Sequence, residues 1–494
     1  MEKRYVLAVD QSTQGTKAIL FDENGVLFCR TDLPHRQIVN EKGWVSHDLE
    51  EIYVNTIQVV RNLIDKAGIQ KEEIACLGIS NQRETSAVWS RKTGKPLASA
   101  IVWQCARAEE ICTEIARDKD IAEQIRQKTG MKLSPYFPAA KFAWLQRHVE
   151  AVKNARKEND LCLGTIDTWL LFCLTKGQIY KTDYSNASRT QLYNICSLQW
   201  DKEICEWFDI DPNHLPEVVD SSFEYGYTDM EGIFDQPIPI CGVIGDSQGA
   251  LFGQGCVEKG MVKATYGTGS SVMMNIGNHM LLSDLGLVTS LAWGLNGKVE
   301  YVLEGNINYS GAVITWLKDD MGLISSPGET QEMAQMANKN DTTYLVPAFS
   351  GLGAPYWKSD AKALLYGMTR TTGKKEIIKA ALESIAYQIT DIVEMMKAEE
   401  EIEVKELCVD GGPTKNQYLM KFQSDILGTR VTLPRCEESS AQGAAYMAGL
   451  CVGLYKKEQL FIKTVKNQLV PEMSKEVRRE KYCGWKEAVE RVIR

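Results

Sequence analysis

Asp246 directly follows the apolar run Ile240 to Gly245 and directly precedes a stretch of small residues able to start a helix. A short apolar run reads as a buried strand, so its terminal carboxylate sits at the rim of a sheet. Ligands of open α/β sheets bind at that rim. A carboxylate placed there can accept the proton of a hydroxyl nucleophile. Asp10 ends another apolar run, Tyr5 to Val9, and opens the loop Asp10 to Lys17. In that loop Ser12, Thr13, Gln14 and Lys17 stand beside backbone N–H groups, a donor set suited to phosphate oxygens. Asp10, with Asp246, suits a hydrated Mg²⁺, which takes one or two carboxylates plus phosphates and water. Taken alone, the same loop also reads as an ordinary polar hairpin turn.

The device recurs half a chain later. Gly260 to Ser271 ends a strand in glycines and hydroxyls, among them Gly267 and Thr268, and Val272 resumes an extended pattern. Two such loops facing across a cleft would hold the phosphates of a nucleotide from both sides. Arg83 and Glu84 follow the strand pattern Ile74 to Ser80, and their donors and acceptors suit a small polyhydroxylated ligand. An ion pair in a loop is the plainer reading of such neighbours. Trp103 closes the strand-like stretch Ala98 to Val102, and Tyr136 lies in a proline-flanked loop. Large aromatics are more often core than ligand wall. Gly411 and Gly412 follow the strand Glu406 to Asp410 and open a helix near Asn416, where exposed backbone would let a flat base approach.

The elements that must carry these residues alternate strand and helix patterns, as in an α/β protein. Asp48 to Ala67 reads as a helix capped by Asp48, and Glu376 to Met396 as another, each with one apolar face. The small residues of Ser440 to Gly449 suit close helix packing. A chain of 494 residues exceeds what one core organises. Two domains are expected, residues 1–253 and 254–494, with Asp246 near the seam. Net charge is −9 with no dense basic stretch, which argues against nucleic acid as a partner. The fourteen cysteines are scattered without a Cys-x-x-Cys pair, which points to a reducing, cytoplasmic setting rather than to zinc or disulfides. No apolar run is long enough to span a membrane and the start is no signal peptide.

With these residues in hand the chain resembles the FGGY carbohydrate kinases, and within that family it is most similar to glycerol kinases. The resemblance rests on ordered motifs along nearly the whole chain: Asp10 to Lys17, Ile79 to Thr85, Val102 to Cys105, Ser134 to Phe137, Asp183 to Thr190, Tyr266 to Gly269, Val346 to Trp357, Ala381 to Gln388 and Asp410 to Gly412. It implies an α/β fold of two actin/hexokinase-like (ribonuclease H-like) domains facing across a catalytic cleft. It implies ATP and Mg²⁺ as cofactors, a polyol as acceptor, and a homodimer or homotetramer. By position, Asp246 matches the general base, and Arg83, Glu84, Trp103, Tyr136, Ser247 and Ser271 match the acceptor site. Ser12, Thr13, Gln14, Lys17, Gly267, Thr268, Gly311, Thr315, Gly412 and Asn416 match nucleotide-binding positions.

Three departures stand out. Ser247 replaces a glutamine and Ser271 an aromatic residue of the glycerol-kinase pattern, so the acceptor pocket is expected to be larger and more polar. Loss of the aromatic wall removes apolar contact worth on the order of 2 kcal/mol. Glycerol is the expected acceptor, with a longer polyol or a ketopentose as the alternative. The segment Asp229 to Asp235 lacks the histidine and the basic loop through which relatives are regulated, so neither control is expected. A rival of another class is an actin-like nucleotide switch, which would need no acceptor site.

Overall fold

The structure, a computed structural model, describes residues 2–400, 402–461 and 465–494. The first half builds a six-stranded sheet from β1 (Tyr5–Gln11), β2 (Gly15–Phe21), β3 (Leu27–Pro34), β4 (Ile74–Asn81), β5 (Ser222–Thr228) and β6 (Ile238–Gly245). Its order is β5-β6-β4-β1-β2-β3. β1 and β2 form an antiparallel hairpin with Asp10 opposite Lys17, while β4 and β6 lie parallel to β1. The buried strands are nearly continuous apolar runs, as parallel strands covered on both faces must be.

The second half repeats this plan with β7 (Met261–Tyr266), β8 (Ser270–Gly277), β9 (Val288–Leu295), β10 (Lys298–Ile307), β11 (Glu406–Asp410), β12 (Arg430–Pro434) and β13 (Val465–Leu469). The order is β9-β10-β8-β7-β11-β12-β13, again a hairpin, β7–β8, flanked by parallel neighbours, β11 and β12. The repetition seen in the loops is therefore a repetition of whole sheets. Among the described residues no helix is long and apolar enough to cross a membrane.

Helices cover the sheets where the sequence pattern requires. α1 (Leu49–Ala67) starts at Asp48, whose carboxylate accepts from the N–H groups of Glu50 and Glu51, and stops at left-handed Gly68. Such a cap is worth about 1 kcal/mol. Its buried face includes Ile52, Val59, Val60 and Leu63. α2 (Asp246–Gly253) begins directly at the end of β6. α3 (Lys374–Glu400) extends beyond both expected ends and buries Ile378, Leu382, Ile385 and Ile389 in the core of the second half. α4 (Ser439–Cys451) belongs to the second half by sequence but seats on the first sheet. A side-chain carbon at Gly78 of β4 would come within 2.4 Å of the Ala444 carbonyl, so the small residues permit the contact. One hydrophobic cluster thus joins Val6 and Ala8 to Ala444 and Met447, and continues to Met273 and Cys408. Two expectations differ from the structure. Of Ala98 to Val102 only Ala100–Ile101 pairs, and after the diglycine a 3₁₀ turn, Gly412–Lys415, intervenes before the helix starts at Gln417.

Next to the first loop the rings of His35 and His47 meet edge to face, 4.6 Å between centroids. The His35 N–H donates to the Gln14 carbonyl. Burial pushes the His47 imidazole down to about 4, and His35 in the same direction. A folded-state value below the unfolded one means that stability is intact above about pH 6.5 and falls as pH drops toward 4. For His47 that loss is about 3 kcal/mol. Thermal unfolding between pH 7 and 4 is expected to show it, with a shallower slope in His47→Gln.

Candidate active site

Asp246 takes its place because β6 ends at Gly245, whose N–H is held by the Ser185 hydroxyl at 2.8 Å. Its Oδ1 accepts from the Ser247 N–H at 2.6 Å and lies 3.3 Å from Arg83 Nε. Among the described residues no hydrogen bond reaches Oδ2, and the side chain keeps 37% exposure. Burial raises its pKa above the ordinary carboxylate range, against the pull of the Arg83 guanidinium.

Behind it lies a closed charge network. Arg83 grips Glu304 with two N–H groups, at 3.1 and 2.9 Å, and donates to Gln248 Oε1 at 3.2 Å. Arg189 pairs with Glu84 and lies 3.0 Å from Glu304. Arg83, Glu84, Arg189 and Glu304 are all buried. Burial would raise the Glu304 carboxyl, but Arg189 and Arg83 outweigh it and hold the group well below the usual range. Glu84 is the centre of a tight turn, with φ of 61° and the Thr85 N–H donating to the Arg83 carbonyl. A non-glycine residue held there stores backbone strain, a mark of functional sites.

Trp103 and Tyr136 stand 5.5 Å apart between ring centroids. The Trp103 indole donates to Thr13 Oγ1 at 3.0 Å, which ties Trp103 to the first loop. Lys141, fully buried in the helix Pro138–His148, donates to the carbonyls of Glu84, Trp103 and Tyr136. One ammonium thus ties together the backbone of three separate loop residues. Ser271 donates to Glu304 at 3.3 Å, and Ser247 contributes its backbone to Asp246. The motif Asp183 to Arg189 supports this floor. Asn186 exchanges amide hydrogen bonds with Asn81, and Asp183 accepts from Asn186 and Ser221.

The two hairpin loops and the diglycine turn come from both halves. The Ser12 hydroxyl closes its own turn onto Gly15, Gln14 is exposed, and Lys17 bonds Glu438 at 2.6 Å. Asp10 is buried with Oδ1 unpartnered, and burial raises its carboxyl to about 6. In the second loop, Gly311 and Ala312 donate to the carbonyls of Gly267 and Thr268, at 2.9 and 3.0 Å. Thr268 and Thr315 are exposed beside them. Gly411, at φ of 97°, lets the end of β11 touch that of β7, since a side-chain carbon there would lie 2.0 Å from the Tyr266 carbonyl. The diglycine turn and Glu438 border a cavity of about 610 Å³, within the range of small-molecule sites. Asn416 is engaged locally: it caps the helix at Leu419 and donates to Thr330. Among the described residues no hydrogen bond joins the two loops directly.

Sequence reading missed Glu304, Arg189, Gln248, Lys141 and Glu438 as parts of this site. Glu304 and Lys141 did leave a signal: Glu304 directly follows the apolar Tyr301 to Leu303, and Lys141 is the lone charge within Ala139 to Leu145.

Twin sheets, each with a hydroxyl-rich hairpin, meeting over a buried charge network define the actin/hexokinase-like class of two-domain phosphotransferases. Family models described as the FGGY family of carbohydrate kinases match the chain twice, the N-terminal domain over residues 5–253 and the C-terminal domain over 262–451. The chain belongs to the FGGY family of carbohydrate kinases. It is 47% identical to glycerol kinase 1 of Thermotoga maritima over 491 residues, covering 99% of each chain. It is 46% identical to the glycerol kinase of Caldanaerobacter subterraneus subsp. tengcongensis, again over 99% of each. Among solved structures, Plasmodium falciparum glycerol kinase with ADP is similar at TM-score 0.93 and 36% identity, with 100% of this chain and 99% of that one covered.

Proposed function

We propose that this protein phosphorylates glycerol to glycerol 3-phosphate at the expense of ATP, with Asp246 as general base. The observation that carries the reading is Asp246 itself: one carboxylate oxygen oriented by Arg83 and Ser247, the other without a hydrogen bond among the described residues, on a side chain that keeps 37% exposure. The names of the relatives, glycerol kinases at 46–47% identity along the chain, support the same acceptor.

In this reading a substrate hydroxyl donates to Asp246 Oδ2 while Arg83 and Glu84 contact the remaining hydroxyls. Phosphoryl transfer depends chiefly on positioning and charge neutralisation, so an oriented base and a rigid floor are the main requirements. Arg83 is held by Glu304 and Gln248, and Glu84 by Arg189, which leaves little reorganisation for the moment of reaction. Lys17 and the first loop meet the phosphates from one side, and Gly267, Thr268, Gly311, Thr315 and Gly412 from the other.

Mg²⁺ fits the residues present: Asp10 has an orphaned buried oxygen, and Asp246 adds negative charge nearby. Among the described residues no group of three or more protein ligands gathers, as expected for an ion that keeps waters and phosphates in its shell. Bound there, Mg²⁺ would neutralise phosphate charge. The cysteines are free thiols, which accords with a cytoplasmic setting.

Two measurements address the reading. Purified protein should release ADP from MgATP in proportion to added glycerol; ADP release that ignores glycerol would oppose it. Lys141→Met, which removes the three N–H donors, is expected to raise the glycerol KM about tenfold or more while the ATP KM moves little, as steady-state kinetics would show.

A further inference from the structure

Lys263 is only 1% exposed, yet among the described residues no hydrogen bond or ion pair holds its ammonium. The other buried cations of the site are bound: Arg83 and Arg189 each pair with a carboxylate, and Lys141 donates to three carbonyls. Taking an ammonium out of water without a partner costs several kcal/mol. A buried charge left in this state is a mark of functional sites.

Its place in the sheet follows from strand alternation. Val262, Ala264 and Tyr266 of β7 point into the core of the second half, so Lys263 points to the opposite face. Its register partners, Met273 of β8 and Cys408 of β11, belong to the cluster that joins the two halves. Lys263 therefore faces the seam. One two-residue step along β7, about 7 Å nearer the second hairpin loop, Thr265 stands between Ser271 and Asp410.

Four charges act on the ammonium most strongly: Asp410 at the end of β11, Arg83 beyond β4, Glu304 in β10 and Asp246 at the start of α2. The three acids are engaged elsewhere. Glu304 is held by both arginines, Asp246 by Arg83 and the Ser247 N–H, and Asp410 accepts from Gln254. Burial outweighs their pull and draws Lys263 below the ordinary lysine range. An uncommitted positive charge thus lies within electrostatic reach of both the base and the strand end that opens the diglycine turn.

We propose that Lys263 is a further residue of the transfer reaction, its ammonium meeting the phosphoryl group that passes to the acceptor at Asp246. This rests on the kinase reading above. The transferring group spreads its charge over three equatorial oxygens, and a cation already fixed beside them acts without reorganising. A lysine supplies that charge as a compact point on a flexible stem.

The test compares purified wild-type protein with two variants, Lys263→Met and Lys263→Gln, whose fold is checked by unfolding curves. The readouts are kcat, the glycerol KM, the affinity for MgADP, and the affinity for MgADP with aluminium fluoride and glycerol, a mimic of the transferring phosphoryl. Each variant should lower kcat about a hundredfold or more and leave the glycerol KM and MgADP affinity within about threefold of wild type. The aluminium fluoride complex should weaken about tenfold or more, a split that a merely structural lysine would not produce. A kcat within about fivefold of wild type, an unchanged aluminium fluoride affinity, or loss of fold in both variants would overturn the inference and leave the kinase reading standing. Wild-type protein that forms no glycerol phosphate would overturn both.

Discussion

Asp246→Asn is expected to lower kcat by about a thousandfold while leaving the affinity for MgATP within a few-fold of wild type. General-base catalysis contributes typically 10²–10⁴-fold, and the substitution preserves shape while removing the ability to take a proton. The environment explains why the loss should be large. Arg83 and the Ser247 N–H fix Oδ1, so the carboxylate cannot be replaced by a swing of a neighbouring acid. Glu84 is tied to Arg189 and Glu304 to both arginines, which removes them as substitute bases. The proposed nucleotide contacts lie on the two hairpin loops and the diglycine turn and do not include the Asp246 side chain. Retention of more than a tenth of wild-type turnover would contradict the assignment.

The second large effect is structural. Glu304→Ala would leave Arg83 and Arg189 buried without their shared counter-charge. Breaking a buried pair from one side costs about 3–5 kcal/mol, and here two arginines lose a partner. Glu304→Gln keeps the volume and should cost less. Chemical denaturation at pH 7 measures both. The pH dependence has a definite sign. The carboxyl is held below its ordinary 4.5, so its stabilising contribution is fully present above that value. It is lost as pH falls through the depressed folded value. Glu304→Gln should therefore flatten the acid limb of the stability curve. An equal loss in acid for wild type and variant would argue against the network as drawn.

What could be read from the sequence follows from how local each signal is. Asp246, Asp10 and Arg83–Glu84 were legible because each ends an apolar strand, and the strand ends of open sheets gather ligands. The repeated hairpin was legible because turn chemistry is local. The network around Glu304 was not, since Arg83 and Glu304 are separated by 221 residues and only the juxtaposition of two sheets joins them. Lys141 sits in a helix buried on nearly every side, where a lone base among apolar residues is itself unusual. Asn416, whose position resembles a nucleotide contact, also has a local role: its side-chain oxygen caps the helix at Leu419. Ala98 to Val102 has strand composition, but only two of its residues find a partner strand. The role of α4 in carrying the second half onto the first sheet was visible only as a run of small residues.

The central claim is that Asp246 directs the γ-phosphoryl group of ATP to a polyol hydroxyl. The most direct measurement is to supply γ-labelled ATP, Mg²⁺ and glycerol to the purified protein and compare ADP formed with label recovered in glycerol phosphate. One labelled glycerol 3-phosphate is expected for each ADP, with both products formed about a thousandfold more slowly by Asp246→Asn. ADP formed with the label in inorganic phosphate, at a rate indifferent to glycerol and to the Asp246 substitution, would contradict it.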